Sequence, residues 1–125
     1  MDGIQAIQQK KNLTAICVKA DDFYGIQTDG IQGVIKTSGG EIVIICDSGS
    51  GKIKNRFPDA ESEDGITAIN FSGDGFERGG ADDILAYLHS CGINERYVSV
   101  SEIGMTLYVD RWNADRAWKS SLMFI

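Results

Sequence analysis

The residues best placed for chemistry lie in Ile42–Lys54, "IVIICDSGSGKIK", where an apolar run enters a loop of glycines, serines and lysines. Phosphate-binding loops often begin this way. Backbone N–H groups in a glycine-rich turn can cradle an anion, and a helix N-terminus behind them adds its dipole. Ser48, Gly49, Ser50, Gly51, Lys52 and Arg56, with Lys54 alongside, make up the candidate anion set. The full nucleotide motif is absent. With Gly51-Lys52 as the glycine–lysine pair, Cys46 stands where the first glycine belongs and Ile53 where the magnesium-binding hydroxyl belongs. Lys54 likewise fills the third glycine position of a dinucleotide fingerprint. The following "KIKNRFPDAESEDG" has no apolar stripe and contains Pro58, so no helix is expected there. A looser nest for a small anionic ligand or nucleotide is what the loop retains.

Carboxylates form the second constellation. Between Asp59 and Asp83 lie eight acids and one base, a local charge of −7 in a chain whose formal net charge is −6. "DAESEDG" at 59–65 approaches a calcium loop, but its glycine comes one residue late and Asn70 replaces the bidentate glutamate. One histidine and three scattered cysteines argue against zinc. Any His-dependent nucleophile must use His89, which falls about 160° from Cys91 on a helix wheel at roughly 100° per residue. No G-x-S-x-G elbow is present, and hydrated acidic loops would not separate the pKa values of a carboxylate pair. No catalytic set, metal or cofactor is therefore expected.

Acidity, embedded aromatics and the missing catalytic set instead favour a protein-binding inhibitor. The sequence reading is a small acidic cytoplasmic protein, such as an immunity protein, that masks the active site of a basic toxin or nuclease. Asp59, Glu61, Glu63, Asp64, Asp74 and Glu77 would form its rim, with Phe57 and Phe76 as anchors. Trp112 and Trp118, which bracket "NADR", are either further anchors or lids over the sheet. The alternative is a small-ligand or nucleotide-sequestering module built on the glycine–serine loop with Lys52, Lys54 and Arg56. Direct nucleic-acid binding is disfavoured by net acidity and the lack of a basic stripe.

The elements that must position these residues read as one α+β domain over 1–125. It has 42% apolar residues and no apolar run near the roughly 18 needed to span a bilayer. "MDGIQAIQQKK" lacks the apolar core of a secretory signal, and cysteines outside any CxxC pair suit reduced, buried thiols in the cytosol. The expected architecture is a mostly antiparallel β-meander. A short helix could open the chain over 2–11, from Ile4 and Ile7 at helical spacing. Hairpin turns are expected at Asp29-Gly30 and at Ser38–Gly40. Long glycine-rich acidic loops are assigned to 47–65 and 72–80. The clearest helix spans about 81–91, with Asp82 and Asp83 in its first turn, an Ile84/Leu85/Leu88/Cys91 stripe and Gly92 ending it. Strands follow over "RYVSVSE" and "MTLYVDRW". The last segment, "AWKSSLMFI", reads as a strand, with a helix starting at Asn113 as the alternative.

Overall fold

The computed structural model describes residues 3–23, 30–49, 51–74, 76 and 79–125. Strands β1 (Ile4–Lys19), β2 (Ile31–Lys36), β3 (Glu41–Asp47), β4 (Glu61–Gly73), β5 (Tyr97–Ser101) and β6 (Gly104–Val109) alternate with helices α1 (Gly51–Arg56), α2 (Gly80–Ser90) and α3 (Ala114–Ser121). Short 3₁₀ turns cover Ala20–Asp22 and Leu122–Phe124. The class is α+β, as the sequence indicated, and the resolved pairings are antiparallel.

The chain divides into two compact units, Asn12–Ile66 and Met1–Lys11 with Thr67–Ile125. The long strands β1 and β4 each contribute one half to each unit.

In unit 12–66 the lateral strand order is β2-β3-β1-β4. Taken along the chain, this is second, third, first, fourth: the split βαβ arrangement rather than a simple meander. β1 and β3 run in register from Leu13↔Asp47 to Lys19↔Glu41. Apolar residues on alternate positions explain the ladder: Ile16, Val18, Ile44 and Cys46 turn to one face and pack with Ile53 of α1. The turn at Ser38–Gly40 forms as expected, with the Thr37 N–H donating to the Glu41 carbonyl at 3.0 Å. The expected turn at Asp29-Gly30 falls partly outside the described residues.

The other unit has the order β5-β6-β4-β1. Counted from β4 through α2, β5, β6 and α3 and ending on β1, it is again second, third, first, fourth. The strand that closes this sheet stands first in the chain. Ile69, Phe71, Ile84, Leu88, Met105 and Leu107 form its core, and Phe124 meets the Phe71 and Tyr87 rings edge-on at 6.1 and 5.3 Å.

Several expectations are corrected. The opening segment 2–11 forms no helix in its described part; Ile4–Lys19 is one long strand. Its i, i+3 isoleucines satisfy a strand because pairing with β4 overrides a weak local preference. The stretch 47–65 is not one loop: α1 occupies Gly51–Arg56, and Glu61 already belongs to β4. A single buried Ile53 anchors that short helix, too little apolar signal to register as a stripe. In 72–80, β4 reaches Gly73 and α2 begins at Gly80. The final segment is helical from Ala114, the alternative reading, although the Asn113 side chain makes no cap. Its buried stripe is Ala114, Ala117 and Ser121, small residues that a hydrophobicity pattern passes over.

Helix α2 matches its reading closely. Gly92 takes φ +79°, its N–H donates to His89 O and the Ile93 N–H to Leu88 O, both at 3.0 Å. These two bonds close the helix in a Schellman motif.

Candidate functional site

In unit 12–66 three strand ends meet at one place: Lys19 closing β1, Glu41 opening β3 and Glu61 opening β4. The segment from Arg56 to Ala60 lies across them and completes a pocket of about 700 Å³. Register brings Lys19 opposite Glu41. Arg56 and Lys19 supply positive charge; Asp22, Glu41, Asp59 and Glu61 supply negative charge. Phe57, Pro58 and Val18 give an apolar wall, and the Arg56 guanidinium carbon lies 6.0 Å from the Phe57 ring centre. Both signs of charge around an apolar wall suit a small ligand that carries both signs itself.

Cys17 stands in the same wall, and its thiol donates to Glu41 Oε2 at 2.8 Å. That bond, then burial and the nearby charges of Glu41 and Glu61, push the thiol pKa up to about 11. The thiol is therefore protonated at neutral pH and a poor nucleophile. Cys46 is buried, and burial raises its pKa as well.

The sequence-derived sets are divided differently by the structure. Arg56 of the anion set shares this pocket with Phe57, Asp59 and Glu61 of the acidic set. Ser48 lies at the other end of the β1–β3 ladder. There its N–H donates to Asn12 O at 2.9 Å and its hydroxyl meets Thr14 Oγ1 at 2.8 Å, so its amide is already engaged. Asp64 accepts from Thr14 Oγ1 at 2.7 Å and lies 3.9 Å from Lys54 Nζ. Gly49, Gly51 and Lys52 are exposed, and Ser50 falls outside the described residues. No convergent phosphate cradle forms among the described members of that set.

Glu63 is half-buried in β4, and Asp74 is exposed just after it. Phe76 is only 4% exposed and belongs to the core of the other unit, so it offers no surface anchor. Glu77 lies outside the described residues. Trp112 is exposed, whereas Trp118 packs partly against the core. His89 pairs with Glu95 at 2.7 Å on the surface. Among the described residues no group of three or more His, Cys, Asp or Glu could hold a metal ion.

Sequence reasoning missed Cys17, Lys19, Asp22 and Glu41. Lys19 and Glu41 are brought together by the β1–β3 register, and a local motif search does not pair positions across an intervening strand. The only available signal was the turn at Ser38–Gly40, which announces that a strand begins at Glu41.

The fold is similar to that of solved aspartate kinases and their regulatory subunits. No protein-family model matches the sequence, and no curated protein matches it. Among solved structures, aspartate kinase from Clostridium acetobutylicum superposes with a TM-score of 0.75 at 18% identity over 96% of this chain and 34% of that one. The regulatory subunit of aspartate kinase from Thermus flavus gives 0.74 at 12% identity, covering 95% of this chain and 96% of that one. E. coli aspartokinase III in its T-state complex with lysine and aspartate gives 0.68 at 14% identity, covering 93% and 32%. The chain thus spans about a third of the two whole kinases and nearly all of the regulatory subunit. At these identities the likeness shows a shared fold.

The likeness overturns the expectation of an immunity-type inhibitor. The similar structures are regulatory subunits and kinases, and the acids assigned to a flexible docking loop are partly built into β4. Among the described residues no helix is long and apolar enough to cross a membrane.

Proposed function

We propose that this chain is a non-catalytic regulatory module that binds a small zwitterionic ligand of the amino-acid type in the pocket of unit 12–66. The observation that carries the reading is the pocket's mixed charge: Arg56 and Lys19 line it with charge that suits a carboxylate, and Glu41, Asp59 and Glu61 with charge that suits an ammonium group. A paired carboxylate and guanidinium form strong, directional contacts, so a ligand bearing both charges gains at both ends. The kinase regulatory fold supports the same class, since E. coli aspartokinase III is described in complex with lysine and aspartate. A reducing cytoplasmic setting suits three cysteines that form no disulfide.

Calorimetric titration with the twenty amino acids, alongside simple amines and carboxylates, tests the proposal. At least one zwitterion should bind with 1:1 stoichiometry. Arg56→Ala should weaken that binding, and Lys52→Ala, outside the pocket, should not. A flat response across the panel, or equal effects of the two variants, would overturn it.

A further inference from the structure

The sheet of the unit Met1–Lys11 with Thr67–Ile125 has a second face, turned away from the core that packs α2 and α3. Register fixes what stands on it. Phe71 and Met105 turn inward to that core, so the residues on either side of them in their strands turn outward. One outward cross-strand row is Asn70–Thr106–Ser99, and the next is Ser72–Gly104–Ser101. All six line a hollow of about 410 Å³, within the roughly 300–1,000 Å³ usual for small-ligand sites. No residue of its lining is charged, in a chain where 24% of residues are. Gly104 brings no side chain to the middle of its row, so the hollow reaches backbone there.

The hydrogen bonds within these rows leave a set pattern of donors and acceptors. Asn70 Nδ2 donates to Thr106 Oγ1 at 2.8 Å and reaches Met105 O at 3.5 Å, which orients the amide with Oδ1 as its remaining acceptor. Thr106 Oγ1, having accepted, keeps its own proton to donate. This acceptor and donor, side by side, suit two adjacent hydroxyls: one donates to Asn70 Oδ1 while its neighbour accepts from Thr106. Ser99 is exposed beside Thr106. Ser72 and Ser101 make only long bonds, each 3.5 Å, to Ala6 O and Gly104 O, and their hydroxyls can turn to a ligand. Ile103, 76% exposed between β5 and β6, adds an apolar lip that suits the C–H face of a sugar ring. An ion would surrender hydration here with no counter-charge to replace it.

We infer that this hollow is a second binding site, for a neutral one-ring compound carrying adjacent hydroxyls: a free monosaccharide or cyclitol. Ordered water is displaced without loss only by a ligand that reproduces its hydrogen bonds, and a diol does so at Asn70 and Thr106 together. The site shares no residue with the charged pocket of unit 12–66, and neither reading depends on the other.

Titration of the whole isotope-labelled chain, followed by amide chemical shifts, tests it. Glucose and myo-inositol are the neutral probes, gluconate and glucosamine the charged ones, and maltotriose the longer one. At least one neutral probe should saturate at millimolar concentration, with shifts gathered on Ser99, Gly104, Thr106 and the Asn70 side chain. The charged probes should bind more weakly, and maltotriose no more tightly than glucose, because the hollow takes one ring. Thr106→Val keeps the branched shape and should weaken binding about fivefold, for one lost hydrogen bond. Ser99→Tyr, at an exposed strand position that tolerates tyrosine, should fill the hollow and abolish binding while the melting temperature holds. No saturation with either neutral probe, shifts centred elsewhere, charged probes or maltotriose binding more tightly than glucose, or binding that survives Ser99→Tyr would each overturn the inference. So would shifts at these residues that follow protein concentration alone, since a second copy would then be covering the face.

Discussion

The two units share a strand order and differ at one end of the sheet. In unit 12–66 the end of the first strand, the start of the third and the start of the fourth carry Lys19, Glu41 and Glu61, and a pocket of about 700 Å³ opens there. In the other unit the equivalent positions are occupied by Gly73, Gly104 and Gly3, the last immediately before its strand. There a Cβ on Gly73 would sit 1.9 Å from Gly3 O, one on Gly3 2.6 Å from Asp74 O, and one on Gly104 2.5 Å from Phe71 O. Backbone packs on backbone, and no room remains for a side chain at these three positions. A hollow of about 410 Å³ in that unit, lined by Gly104 itself with Ser72, Ser99, Ser101, Thr106 and other uncharged residues, offers no charge to a ligand. One topology thus yields a charged, open end or a sealed, neutral one according to three side chains. The lesson is that the sheet order supplies a location, and only the residues at the strand ends decide whether a ligand can use it.

The sharpest way to break this contrast is to give the sealed end a side chain. Gly73→Ala puts a methyl group into backbone at φ +149°, where neither neighbour can yield. It should cost upwards of about 4 kcal/mol by urea unfolding, or prevent folding altogether. Gly49→Ala is the matched control: nothing lies within 4 Å, and the loss should stay within about 0.5 kcal/mol. If both behave alike, the closure has no energetic content.

Next in size is the core of the open unit. Ile44→Ala removes a fully buried side chain from the face that supports α1 and should destabilise by about 2–5 kcal/mol in the same measurement.

A smaller effect is expected at the pocket. Arg56→Ala should lower ligand affinity about tenfold, the loss of one charge-assisted contact, while unfolding midpoints stay close to wild type. Equal loss of stability and binding would mean that Arg56 supports the fold instead.

The smallest concerns Cys17. Its thiol holds its proton more tightly in the folded chain, near 11 against an ordinary value of 9.0. The folded state therefore binds more protons between those values, and this contribution to stability is fully present below pH 9 and fades as the pH rises through 11. Iodoacetamide should label Cys17 slowly at pH 8, and Glu41→Gln should speed labelling by removing the accepting carboxylate and its charge. Mass spectrometry of the labelled peptides checks both. Unchanged labelling in the variant would show that Glu41 does not hold the thiol.

How much of this was legible beforehand varies with the range of the interaction involved. Helix α2 was readable to within a residue or so because its stripe, first-turn acids and Gly92 all act within one helix. The hairpin at Ser38–Gly40 was readable for the same reason. Helix α3 was obscured because its buried face is alanine and serine, and the terminal apolar run "LMFI" pulled the reading toward a strand. The opening strand was obscured by isoleucines that fit either period. The candidate site was only half visible. Arg56, Phe57, Asp59 and Glu61 stood out by charge and composition but were assigned to two different functions.

By itself the sequence determined the class, the antiparallel strands, the central acidity, helix α2 and the absence of a complete nucleotide motif. Each of these follows from local periodicity, turn chemistry or composition. Only the tertiary structure decided that β1 and β4 run through both units, that Phe76 turns inward, and that Lys19, Glu41 and Glu61 converge. Those outcomes depend on strand register, which couples residues tens of positions apart through backbone hydrogen bonds and leaves no mark at either position alone.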